Sequence, residues 1–362
     1  MKRSLTLPAT FLVGAALLSA CTGTEETPPS LRLIVLNDGG QSLGYASSSE
    51  TGKTGLQGVI TGLQGVNVEY LNSGRNFALV QRTGVENRDV NLALTSSFAG
   101  VPFDPVFFKQ AAMSALRDRL LILQECDNGP QQLALYRADG TLVWTALLPT
   151  NLVTVPGPDT PPTRLAVAPG DTAYVARAAL GGGSEVIIAT PRNTGDPVQD
   201  AQANVTYPVG TVSIRDLAPY GTSIYAATDS GVRPLLPGGQ PASDTTPAQT
   251  AFGTQRYDRL WSGTSGSTSL LAAWRDNVQN ASGGEYLRVW DGRRTDAVNV
   301  TYISELRDVT FAIDGKLYAL TRTSLSSYDL VLGLSNSASW SPQTHVTGLT
   351  DARAVTWVVP GY

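Results

Sequence analysis

Histidine is almost absent: His345 is the single one in 362 residues. One imidazole cannot build a multi-histidine metal centre. A Ser-His-Asp arrangement would have to use it without the Gly-x-Ser-x-Gly turn that presents a nucleophile, which this chain lacks. His345 itself reads as a surface or strand-end residue. Cysteine is nearly as scarce, at Cys21 and Cys126. Charged residues are 15% of the chain, the net charge is −4, and the bases are nearly all arginine. That balance argues against nucleic acid as a partner. Beyond the first twenty residues no apolar run is long enough to cross a membrane. Helix-like periodicity is scarce too. Asp38, Asp139, Asp291 and Asp314 each precede a glycine, but none lies in the dense oxygen-ligand pattern of a calcium loop, so they read as hairpin turns. Gly52-Lys53-Thr54 is no phosphate loop, because Ser47 stands where the upstream glycine belongs. Gly181-Gly182-Gly183, with no helix pattern after it, reads as a turn.

What the chain does have is glycine (36), proline (22) and short stretches of Val, Thr, Tyr and Leu, a composition that favours an all-β fold. One stretch organises the rest. Val309 to Ile313, the Asp314-Gly315 pair and Leu317 to Thr321 read as strand, turn, strand. Imperfect copies recur around Leu79, Ile122, Tyr174, Tyr225 and Leu271, with steps up to Tyr318 of 43, 52, 51, 46 and 47 residues. A period of about 40–50 residues with several strands per unit is the pattern of a β-propeller. The last segment, Arg353 to Val359, matches only a first strand. A second strand is available near the other end in Leu31 to Asn37, with Ile34 lying 45 residues before Leu79. The expectation is a seven-bladed β-propeller over residues 31–362, closed by N- and C-terminal strands that share one blade.

Residues 1–20 form a targeting segment: a basic start at Lys2 and Arg3, then the apolar Leu5 to Leu18. Leu18-Ser19-Ala20-Cys21 resembles the lipobox of bacterial lipoproteins. The resemblance implies cleavage before Cys21 and lipidation of that residue, and Thr22 in place of Asp favours an outer membrane. Residues 21–30 read as a polar, proline-rich tether. Removing Lys2 and Arg3 leaves 24 basic against 30 acidic residues. Cys126 is then the one remaining thiol, read as an inert strand-end residue or as an intermolecular pairing site.

Charge recurs before the first strands: Arg117-Asp118-Arg119, Arg164, Arg215-Asp216, Asp258-Arg259, Arg307-Asp308 and Asp351-Ala352-Arg353. In propellers the first strands line the central channel, so these residues are expected as a ring at its mouth. Arginine forks there suit carboxylates or phosphates on a partner. Alternatively, Arg of one blade pairs with Asp of the next and holds the ring together. Trp144 and Trp290 read as packing between blades. Trp261, Trp274 and Trp340 would serve either the core or a glycan. The function expected is a non-enzymatic, lipid-anchored binding or scaffold module of the cell envelope, on the periplasmic side of an outer membrane or at the cell surface. It would need no cofactor, and its partner would be an envelope protein or surface-layer component. The alternatives are a hydrolase or dehydrogenase, or a glycan-binding lipoprotein, using the same channel mouth.

Overall fold

The computed structural model describes residues 30–100, 107–125, 130–153, 157, 159–207, 212–276, 284–335 and 340–361. The signal segment, Cys21, most of the tether and Cys126 lie outside them. The strands of the described residues form seven sheets arranged as blades, antiparallel except for one outer pairing on blade 7. Blade 1 joins the chain's ends: Ala354–Val358 is its innermost strand, followed outward by Arg32–Asn37, Ser42–Ser47 and Gln57–Thr61. Blade 2 is Gly65–Tyr70, Asn76–Gln81, Gly84–Asp89 and Leu94–Ser97, and blade 3 is Phe107–Met113, Arg119–Glu125, Gln131–Arg137 and Leu142–Leu147. Blade 4 is Arg164–Ala168, Thr172–Ala178, Ser184–Pro191 and Ala201–Tyr207. Blade 5 has three strands, Ile214–Tyr220, Ser223–Thr228 and Gly231–Pro234. Blade 6 is Arg259–Ser265, Thr268–Trp274, Glu285–Trp290 and Val298–Ile303; blade 7 is Leu306–Phe311, Lys316–Thr321, Ser324–Asp329 and Gln343–Thr347. The innermost strand of each blade meets that of the next, and blade 7 meets blade 1, so the ring closes.

Every expected repeat position, from Ile34 to Tyr318, falls in the second strand of its blade. The middles of these strands are largely apolar because both of their faces are buried, with Arg177 of blade 4 a buried exception. In blade 1, Leu33 and Val35 join the core shared with blade 7, while Ile34 and Leu36 join the core shared with blade 2. Leu121 and Leu123 of blade 3 likewise face blade 4, and Leu120 and Ile122 face blade 2. Each of the seven blade interfaces thus has its own apolar cluster. The expected packing of Trp144 and Trp290 is found. The Trp144 indole N–H donates to the Asp171 carbonyl of the next blade at 2.9 Å, and Trp290 stacks on Tyr220 of blade 5.

The Asp-Gly pairs are turns. At the blade 7 hairpin the Asp314 carboxylate accepts the Lys316 N–H, and Gly315 takes φ of 77°, a conformation costly for other residues. The segment that follows the third strand of blade 5 ends in a short helix, Pro247–Phe252. Thr246 caps its N-terminus by accepting the Gln249 N–H, and proline takes the first helical position. Phe252 and Ala248 of this helix pack beside the short third strand of blade 5.

Ring closure has two parts. Arg32–Asn37 pairs antiparallel with Ala354–Val358, from Arg32 opposite Val358 to Leu36 opposite Ala354. The Trp357 indole N–H donates to the Phe311 carbonyl of blade 7. Farther out, Lys53–Thr54 pairs parallel with Gln343–Thr347 on the outer edge of blade 7. Here His345 departs from the surface or strand-end position expected of it, lying in the middle of Gln343–Thr347. It is buried, with Nδ1 2.7 Å from the Glu50 carbonyl and Nε2 2.8 Å from the Ser327 hydroxyl. A carbonyl can only accept, so Nδ1 carries the proton and Nε2 accepts from Ser327. Burial pushes the imidazole below its usual range, in keeping with a neutral ring.

Candidate functional site

All seven innermost strands line one central cavity of about 310 Å³. Six cationic side chains face it against three carboxylates, a positive surplus in a chain whose net charge is negative. Several of these charges stand where the innermost strands begin. In blades 2, 5 and 7 the innermost strand carries a one-residue bulge near its start, at Val66, Arg215 and Arg307. The residue after each bulge, Asn67, Asp216 or Asp308, turns its side chain back to accept the N–H of the next residue.

The two carboxylates of this set also reach across the blade interface. Asp216 accepts the Leu260 N–H of blade 6 at 3.0 Å, and Asp308 accepts the Val355 N–H of blade 1 at 2.9 Å. Each thereby satisfies a backbone donor that no strand partner serves. Arg164 and Arg259 flank Asp216 from blades 4 and 6, both at 3.2 Å. Each also donates to the carbonyl of the bulge residue in the following blade, Arg164 to Arg215 and Arg259 to Arg307. Asp308 accepts from the Trp261 indole as well. Arg and Asp of neighbouring blades are therefore paired at this mouth.

Arg215 is held inward, with its side chain 8% exposed, 2.7 Å from Asp229 and 3.9 Å from Asp258. Asp258 is engaged by Arg256 at 2.6 Å and accepts the Asp276 N–H. Arg307 and Arg353 differ. Their side chains are 42% and 51% exposed, and they share one carboxylate, Asp351, at 3.5 and 3.8 Å. The Arg307 Nε atom is buried and has no hydrogen-bond partner among the described residues.

The expected ring is an arc. Arg164, Arg215, Asp216, Asp258, Arg259, Arg307, Asp308 and Arg353 gather along blades 4, 5, 6, 7 and 1. Arg117-Asp118-Arg119 does not join them at the leading ends of the strands. It forms the turn between the first and second strands of blade 3, where Arg117 pairs with Glu69 at 2.6 Å and Arg119 with Asp171 at 2.7 Å. The first strand of blade 3 begins instead with Phe107-Phe108-Lys109. Asn67, the amide counterpart of the two aspartates, carries no charge and so escapes a search for Arg-Asp pairs. Trp261 and Trp274 are buried in the core between blades 6 and 7, joined by the partly buried Trp340. The exposed aromatic pair on blade 6 is Tyr286 with Tyr302, opposite each other on its outer strands.

Burial raises the Asp308 carboxyl from its ordinary 3.8 to about 6, against the opposing pull of the Val355 N–H and the Arg259 charge. Between those values the folded state holds a proton that the unfolded state releases, so this group adds stability as pH falls. Asp308→Asn removes the titration. The melting temperature of the wild type relative to this variant should rise as pH is lowered from 7 to 4. Movement the other way would mean that hydrogen bonding to the ionised carboxylate outweighs its burial.

No family model matches the chain, and no curated protein matches it. Solved structures do. The chain is similar to a putative 6-phosphogluconolactonase from Bacteroides uniformis, at 12% identity and a TM-score of 0.57, over 91% of this chain and 100% of that one. It is also similar to apo AztD from Citrobacter koseri, at 10% identity and a TM-score of 0.51, over 91% and 98% of the two chains. At such identities the likeness speaks to fold alone. It agrees with what the sheet order shows directly: the chain is a seven-bladed β-propeller.

Proposed function

We propose that this propeller is a non-enzymatic, lipid-anchored binding or scaffold module of the cell envelope, and that a partner protein docks at the channel mouth. The observation that carries the reading is the contrast within the arc. Arg164, Asp216, Arg259 and Asp308 are committed to neighbouring blades and Arg215 to Asp229 of its own blade, whereas Arg307 and Arg353 stand half exposed around one shared carboxylate. Guanidinium groups beyond those the fold uses suit recognition of acidic groups on another molecule. The anchoring part of the proposal rests on the basic start, the apolar run and Leu18-Ser19-Ala20-Cys21.

The test is mild detergent extraction of the full-length lipidated protein from its native envelope, followed by mass spectrometry. A stoichiometric protein partner is expected, and the combined Arg307→Gln and Arg353→Gln variant should lose it while melting within about 2 °C of the wild type. Extraction alone, with a tightly bound metal or small organic cofactor, would overturn the reading and favour an enzyme working in the channel.

A further inference from the structure

We infer that the space between Arg307 and Arg353 binds a carboxylate group supplied from outside the chain. The inference rests on the proposed docking role of the mouth and names the chemistry that it recognises. Asp351 shows what the space accepts: its two oxygens lie 3.5 Å from Arg307 Nη2 and 3.8 Å from Arg353 Nη2. Both distances exceed the roughly 2.7–2.9 Å of a well-made charge-assisted hydrogen bond. Among the described residues, one carboxylate stretched between two forks leaves most of their donors unused. Asp351 also holds a backbone φ of 44°, sparsely populated for a residue with a side chain. The Arg307 Nε, buried and unpartnered among the described residues, is a further donor.

Arg307 and Arg353 border the central cavity, whose volume of about 310 Å³ admits a small dicarboxylate or one acidic side chain with its neighbours. Asp308 and Asp216 line the same cavity. Their charges oppose two negative charges concentrated on one phosphate more than the same charge spread over separate carboxylate groups. The carboxylate could come from a free small acid or from a partner protein's acidic side chain or C-terminus.

The two sources are separated by titration calorimetry on the detergent-solubilised full-length protein at pH 7 and constant ionic strength. The probes are succinate, a hexaglutamate peptide and inorganic phosphate. At least one carboxylate probe should bind more tightly than phosphate. Arg307→Gln and Arg353→Gln should each weaken that binding by about tenfold or more, and Arg353→Lys should restore it only in part. Binding of succinate without the peptide keeps the inference, identifies a free acid as the source and removes the docking proposal. Binding of the peptide keeps both. If neither carboxylate probe binds, if phosphate binds as well, or if the substitutions change nothing, the inference falls. The docking proposal then survives only if a partner is still co-extracted and lost with the same two arginines.

Discussion

Replacing Arg177 by alanine should destabilise the propeller by roughly 3–5 kcal/mol, read as a drop in the denaturant midpoint. Arg177 lies in the second strand of blade 4 with only 1% of its side chain exposed. Its Nε pairs with Glu185, directly opposite on the third strand. Its Nη2 donates to the carbonyls of Pro149 and Thr150, which lie on the connection from blade 3. Deleting the guanidinium strands the Glu185 carboxylate, 15% exposed, and two carbonyls at once. The stranded charge should cost more than the lost attraction. Combining Arg177→Met with Glu185→Leu should therefore recover much of the loss. An alanine variant as stable as the wild type would mean that water replaces the pair.

Asp216→Ala should be comparably severe, again about 3–5 kcal/mol, for a different reason. The carboxylate accepts two backbone N–H groups, from Leu217 and Leu260, and balances Arg164 and Arg259. Without it, two donors at the interface of blades 5 and 6 lose their acceptor, and two arginines of blades 4 and 6 face each other uncompensated. Asp216→Asn keeps one acceptor oxygen and the shape but drops the charge, so it should lose less. Equal loss in the two variants would assign the effect to charge alone. A loss under about 1 kcal/mol for alanine would show that neighbouring blades hold together without this side chain.

The second strands were legible because burial on both faces writes an unbroken apolar run into the sequence, as in Leu33 to Leu36 and Leu120 to Leu123. The split blade was legible for the same reason: Leu31 to Asn37 is such a run without a first strand before it. Assigning the charged ends was harder, because the turn between first and second strands varies in length. Ten residues separate Asp308 from Tyr318, nine separate Asp216 from Tyr225, and twelve separate Asn67 from Leu79. In blade 3 the turn itself reads Arg-Asp-Arg before a strong second strand, and so imitates a leading end. His345 could not be placed by local pattern. Its burial depends on Glu50, 295 residues away, brought beside it by the pairing of Lys53–Thr54 with blade 7.

One arc of charge has two proposed jobs: Arg164, Asp216, Arg259 and Asp308 hold the blades together, and Arg307 with Arg353 would meet the partner. The most direct measurement sets melting temperature beside partner recovery for Asp216→Ala and for the combined Arg307→Gln and Arg353→Gln variant, both as full-length lipidated protein. The expected result is a large fall in melting temperature for the first, and an unchanged melting temperature with the partner lost for the second. Equal falls in melting temperature, or full recovery of the partner without Arg307 and Arg353, would contradict it.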